Sequence, residues 1–309
     1  MTTTLVTHPA CIGHAPPPGH PERPERLTAA LKALEGDEFA ALKRREAPLV
    51  TERALHRVHD ATYVEEVLAA IPQSGYVQFD ADTVGSPGTG EAIMRASGAV
   101  NLAADLVMAG ETTNAFCAVR PPGHHALADR AMGFCLFNHV AVGAEHVRAV
   151  FGLSRVAVVD FDVHHGNGTQ DMFYAKEGLF YASTHQSPLY PGTGRPEERG
   201  IANNILNVPL RPGAAGDEFR RAFTDILLPA VAGFRPEFLF ISAGFDAHRD
   251  DPLANLRLDE NDFGWATEAL CTLAGQACGG RVVSSLEGGY DLDALGRSVR
   301  AHVLALMRA

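Results

Sequence analysis

Val156-Ala157-Val158-Val159-Asp160-Phe161-Asp162-Val163-His164-His165-Gly166-Asn167-Gly168 is the stretch whose reading decides the fold. Its four leading residues form an uninterrupted apolar run, as in a strand buried on both faces. Two carboxylates and two imidazoles then crowd into six residues, and glycines follow. Asp162 and His164 are two apart, so at an extended strand end they point the same way and can offer one oxygen and one nitrogen to a single metal ion. The ordinary alternative is a strand-to-helix turn in which Asp caps the helix and His fills space.

Outward from this stretch, short apolar runs alternate with helical patterns along the chain. Strands are predicted over Leu5–His8, Asn114–Val119, Arg155–Phe161, Leu179–Ser183, Ile205–Val208, Phe238–Ser242 and Arg281–Ser285. Helices are predicted over Pro24–Glu35, Ala61–Ile71 with Asp60 as N-cap, Gly90–Met108, Asn138–Val150, Asp217–Ala232, Glu260–Cys278 and Asp291–Met307, from apolar residues at helical spacing. The alternation indicates an α/β fold, a mostly parallel central sheet with helices on both faces. No repeat or low-complexity linker divides the chain, which reads as one domain over residues 1–309.

Ligands of open α/β sheets bind beyond the carboxyl ends of the strands, and the reactive residues fall there. Asn114–Val119 leads into Arg120-Pro121-Pro122-Gly123-His124-His125, Phe238–Ser242 into Ala243-Gly244-Phe245-Asp246, and Arg281–Ser285 into Leu286-Glu287-Gly288-Gly289-Tyr290. Asp246 is the natural third ligand beside Asp162 and His164; read alone, it could equally cap a helix or pair with Arg249. Two carboxylates and one imidazole nearly neutralise a divalent ion, so such a site needs a separate general base. The His124-His125 pair can supply it, with Asp160 and Asn167 as orienting partners. An Asp-paired imidazole holds its proton more tightly than an Asn-paired one, so the two histidines can differ in protonation. Tyr290 can donate to the oxyanion that forms when water attacks a carbonyl. These parts assemble into metal-assisted hydrolysis of an amide.

Composition narrows the function classes. The 309 residues are 46% hydrophobic and 20% charged, ordinary for a globular protein. The formal net charge of -11 and the absence of a basic stripe speak against direct nucleic-acid binding. No apolar run approaches the roughly 20 residues of a membrane span. Five widely spaced cysteines without a CxxC argue against a disulfide scaffold or thiolate zinc site; with no evident signal peptide they favour the cytoplasm.

The chain resembles the zinc-dependent histone deacetylase family, on its class II side. The resemblance rests on His20-Pro21-Glu22-Arg23-Pro24-Glu25-Arg26, Arg120–His125, Gly133-Phe134-Cys135, Asp160–Gly168, Tyr190-Pro191-Gly192-Thr193-Gly194, Ser242–Asp246 and Glu287-Gly288-Gly289-Tyr290, in the family's order from about residue 7 to 300. It implies an arginase-like fold, zinc on Asp162, His164 and Asp246 with iron(II) as the alternative ion, and structural potassium near Asp160, Asp162, His164, Ser183 and Thr184. It further implies His125 as general base and acid, His124 as its electrostatic partner and Tyr290 as oxyanion donor. Phe134 corresponds to one wall of the acyl-lysine tunnel and Tyr190 lies near the other, Gly133 and Gly288 count among the substrate-binding residues, Ser86 corresponds to a contact with the substrate amide and Arg23 to an arginine near an internal cavity. Asn167 stands where class I members carry Asp. The expected substrate is N-acetyl-lysine in a protein or peptide, released as free amine and acetate. The alternative is an acetylpolyamine or other small acetylated amine, which some relatives select with an acidic gatekeeper. Leu253 occupies that position here, although Asp250 and Asp251 could supply negative charge. A non-catalytic acetyl-lysine binder and a binuclear manganese ureohydrolase are the rival readings, and a homo-oligomer is left open. His165 is left without chemistry, as a packing residue.

Overall fold

A computed structural model describes residues 2–309. Ten strands are formed: β1 (Thr3–Thr7), β2 (Lys43–Glu46), β3 (Val77–Gln78), β4 (Val84–Gly85), β5 (Asn114–Cys117), β6 (Val156–Asp160), β7 (Leu179–Gln186), β8 (Ile205–Leu210), β9 (Phe238–Ala243) and β10 (Val282–Leu286). Eight of them make one sheet in the order β2-β1-β5-β10-β9-β6-β7-β8, while β3 and β4 pair as a small antiparallel ribbon. Every pairing in the large sheet is parallel. The helices are α1 (Pro24–Lys32), α2 (Glu52–Leu55), α3 (Ala61–Ala70), α4 (Thr89–Met108), α5 (His139–Phe151), α6 (Asn167–Phe173), α7 (Gly216–Ala222), α8 (Leu228–Phe234), α9 (Glu260–Cys278) and α10 (Leu292–Arg308). No helix among the described residues is long and apolar enough to cross a membrane.

The central strands β5, β10, β9 and β6 are buried along their whole length, as the apolar runs require of a sheet covered on both faces. Their register is level: Cys117 pairs with Ser285, Ser285 with Ser242, and Ser242 with Asp160. The four loops that carry the reactive residues therefore leave one sheet edge side by side. Asn138, Asp259 and Asp291 cap α5, α9 and α10 through their side chains.

Several elements depart from the sequence pattern. Strand β2 is Lys43-Arg44-Arg45-Glu46, exposed throughout and paired to β1 at the sheet margin. It has no apolar face to reveal it, and its charges guard an open edge. Strand β7 runs on to Gln186, because the buried polar end finds partners: Ser183 with His185 Nδ1, and Asn255 N donating to Gln186 Oε1. The helix expected over Asp217–Ala232 is broken by a π-helical turn over Phe223–Leu227. Asp60 stands at the start of α3, but its side chain makes no capping bond. Short α2 and α6 escaped the periodicity.

Candidate active site

Asp162 and His164 follow β6, and Asp246 follows β9. The structure gathers one ligand atom from each within 4.8 Å of the others. His164 Nδ1 lies 3.2 Å from Asp162 Oδ1 and 3.0 Å from Asp246 Oδ2. The carboxylates are held by the backbone: Val163 N donates to Asp246 Oδ1 at 2.9 Å, and Gly288 N to Asp162 Oδ2 at 2.9 Å. Gly288 must be glycine, because a Cβ there would fall on the carboxylates of Asp246 and Asp162.

The electrostatics fit a cation. Burial and the neighbouring Asp162 charge push the Asp246 carboxyl up to about 7. Burial opposes charge on His164, yet its hydrogen bonds to Asp162 and Asp246 lift it to about 10. The two carboxylates favour positive charge between them. Two oxygen donors and one imidazole suit a divalent cation, which would take over that charge balance.

His124 and His125 leave β5 beside this cluster, their ring centroids 4.0 Å apart. His124 Nδ1 donates to Asp160 Oδ2 at 3.0 Å, and His125 Nδ1 to Asn167 Oδ1 at 2.8 Å. Burial disfavours a charged His124, but Asp162 and Asp160 overcome it and raise the ring to about 10. Burial and the positive charges of His124 and His164 hold His125 well below the usual histidine range. The carboxylate partner thus favours charge on His124, while burial favours the neutral ring of His125.

Aromatic rings border the pair. Tyr190 stands edge-on to His125 at 5.3 Å, and Phe134 edge-on to Tyr290 at 5.9 Å. Phe134 and Gly133 both have positive φ, at 67° and 56°. A Cβ at Gly133 would strike the His125 ring. Phe134 tolerates the left-handed backbone because its N–H donates to Thr83 Oγ1 at 3.0 Å while Gly133 N donates to Asp82 Oδ1 at 3.2 Å. Ser86 is buried, and its hydroxyl accepts from Ala15 N at 2.9 Å and meets Thr89 Oγ1 at 3.2 Å, partners within the fold. Asp82 and Thr83 are the residues of that segment that reach the aromatic wall.

Leu253 is half-buried, its N–H donating to Asp251 Oδ1 at 3.0 Å. Neither neighbouring acid is free. Asp251 Oδ2 accepts from Tyr290 N at 2.7 Å, and Asp250 Oδ2 from Arg297 Nη2 at 3.0 Å. Asp251 is thus engaged inside the fold, whereas Asp250 remains at the surface in an exposed ion pair with Arg297.

The arginine near the catalytic end is Arg26, not Arg23. Arg23 is exposed, whereas Arg26, in the first turn of α1, is fully buried. Arg26 Nε donates to Gly289 O at 2.6 Å and Nη1 to Glu22 Oε1 at 3.1 Å. Glu22 also accepts from Arg120 Nη2 at 2.7 Å and lies 3.1 Å from His14 Nε2. Glu287 completes the framework: its Oε2 accepts from Gly123 N at 2.7 Å and His124 N at 3.2 Å, and its Oε1 from Ser242 Oγ at 3.1 Å. Sequence reasoning gave none of Glu22, Arg26, Arg120 and Glu287 a role; the signal was charge inside motifs otherwise read for ligands. His165 is buried between Thr193 Oγ1 at 2.7 Å and Gln170 Oε1 at 2.9 Å, which anchors the Tyr190 loop. Thr184 Oγ1, near the expected potassium site, is buried without a hydrogen-bond partner.

The family model for the histone deacetylase domain matches residues 20–306. A histone deacetylase-like amidohydrolase of Pseudomonas aeruginosa is 40% identical, covering 93% of this chain and 75% of that protein. A probable deacetylase of Archaeoglobus fulgidus is 36% identical over 95% of this chain and 82% of its own. Type-2 histone deacetylase 2 of Dictyostelium discoideum is 35% identical over 99% of this chain, which spans only 21% of that longer protein. The crystal structure of the HDA15 HD domain superposes with a TM-score of 0.94 at 34% identity, covering 100% of this chain and 89% of that one.

Proposed function

Because the chain belongs to the histone deacetylase family, we propose that it is a zinc-dependent deacetylase that hydrolyses N-acetyl-lysine in proteins or peptides to the free amine and acetate. The observation that carries the reading is the juxtaposition of His124 on Asp160, His125 on Asn167 and the Asp162–His164–Asp246 cluster at one sheet edge. Zinc held by Asp162, His164 and Asp246 would polarise the amide carbonyl and acidify water, and iron(II) suits the same donors. Thr184 supports a structural potassium as part of the proposal.

The protein's own residues do the rest. His125, its Nδ1 proton committed to Asn167, presents Nε2 to take a proton from the attacking water. His124 adds positive charge beside the reacting atoms and is fixed by Asp160. Tyr290 donates its hydroxyl to the developing oxyanion. Burial, with Asp246 and Asp162 nearby, outweighs the opposing Arg26 and raises that phenol well above its usual range, so it remains a donor. The carbon–nitrogen bond breaks as a histidine returns the proton to the leaving amine. Phe134 and Tyr190 flank a linear acyl-lysine chain.

Leu253 and the internally held Asp251 support acetyl-lysine over a free polyamine, which needs an unspent carboxylate for its second ammonium. All five cysteines are free and buried, which suits a reducing, cytoplasmic setting. Turnover of an acetyl-lysine peptide, acetylputrescine and acetylspermidine tests the assignment. The peptide should have the highest kcat/KM; preference for an acetylpolyamine would overturn the substrate, and acetyl-lysine binding without acetate release would overturn the chemistry.

A further inference from the structure

The two catalytic histidines have unequal partners. The carboxylate of Asp160 offers His124 two equivalent oxygens, so its orientation carries no information. The Asn167 side chain does not have that symmetry. One end accepts and the other donates, and only the accepting end can hold the His125 proton on Nδ1. If the amide were reversed, Nδ2 would face His125 Nδ1, the ring proton would move to Nε2 and no lone pair would face the substrate. Something must set the amide.

The donor end of Asn167 has two neighbours. The main-chain oxygen of His125 is 3.5 Å from Nδ2, at the limit of a hydrogen bond. The thioether sulfur of Met132 is 3.3 Å from Nδ2, well inside the range for a sulfur acceptor. A thioether accepts but cannot donate, so the amide's oxygen end gains nothing by turning toward it. Met132 is itself fixed: its N–H donates to Cys135 O at 3.1 Å and its carbonyl accepts from Cys135 N at 2.9 Å, the tight turn that presents Gly133 and Phe134.

We propose that Met132 is a positioning residue which, through the side-chain amide of Asn167, holds His125 in the Nδ1–H tautomer. The inference rests on His125 being the general base. It links the aromatic wall to the base, since one short turn carries both Phe134 and the sulfur that sets the proton.

The test compares Met132→Leu in two backgrounds, the natural chain and Asn167→Asp, as zinc-loaded enzymes. The leucine keeps the volume and removes the acceptor; the aspartate removes the amide asymmetry. In the natural background kcat should fall about three- to tenfold with KM nearly unchanged, the size of one modest hydrogen bond. In Asn167→Asp the same change should cost less than about twofold, because a carboxylate cannot be misoriented. Nitrogen-15 NMR of His125 gives a readout independent of turnover: a pyrrole-type Nδ1 in the natural chain and a tautomer mixture in Met132→Leu. Equal losses in both backgrounds would show mere packing and overturn the proposal, as would an unchanged tautomer in Met132→Leu. Turnover surviving in His125→Gln would instead overturn the base assignment on which the proposal rests.

Discussion

Arg26 and Tyr290, from opposite ends of the chain, are stacked: the guanidinium carbon lies 4.6 Å from the centre of the Tyr290 ring. The same arginine binds Gly289 O, Glu287 O and Glu22, so α1 holds the loop that ends β10. Through Glu22 the tie extends to Arg120, the residue that opens the Pro-Pro-Gly-His-His loop. One buried carboxylate thus connects the Tyr290 loop with the His124–His125 loop.

Glu22→Ala should therefore be costly. It would leave Arg26 and Arg120 buried without their counter-charge, which destabilises by about 3–5 kcal/mol. Urea denaturation at pH 7 measures this, and a loss near zero would show that water replaces the carboxylate.

Acid should find the same weak point. Burial opposes ionisation of Glu22, but Arg120, His14 and Arg26 hold its pKa well below the usual carboxylate range. A depressed carboxyl stabilises the fold above its unfolded pKa and loses that contribution as pH falls toward the folded value. The drop in unfolding free energy below about pH 4.5 should be shallower in Glu22→Gln than in the natural chain, with the glutamine less stable at pH 7.

Buried neutral histidines predict a second slope at higher pH. Burial lowers His302 to about 3, and lowers His59 and His139 to about 4. Each is neutral when folded and protonates more readily when unfolded, so stability is full above about pH 6.5 and falls below it, by about 2 kcal/mol per residue at pH 5. His302 lies between Thr267 and Ser284 in the core. Denaturation midpoints at pH 7.5 and 5 check the slope; equal values would refute it.

Asp246→Ala and His164→Ala should each abolish most metal retention, since a catalytic site needs three protein ligands. Elemental analysis after dialysis reads the metal-to-protein ratio, and near-stoichiometric zinc in either variant would remove that residue from the ligand set.

Tyr290→Phe should keep the metal and lose about 100-fold or more in kcat, because only the oxyanion donor is removed. An unchanged kcat would end the oxyanion role.

The sequence by itself determined the parallel sheet and the place of its chemistry. Buried parallel strands are apolar along their length, so Val156–Val159 and Phe238–Ile241 stand out in a linear reading, and reactive residues must sit where such runs stop. Spacing likewise showed Asp162 and His164 as one unit. Tertiary structure alone decided what depends on contacts between distant segments. Strand β2 exists only because β1 offers it backbone partners, and charge rather than an apolar pattern marks it. Local pattern could not tell exposed Arg23 from buried Arg26, nor show that Asp250 and Asp251 are occupied by Arg297 and Tyr290. Nor could it show that a methionine sulfur faces the Asn167 amide. A hydrogen bond is fixed by distance and direction between atoms, and those follow from folding, not from order along the chain.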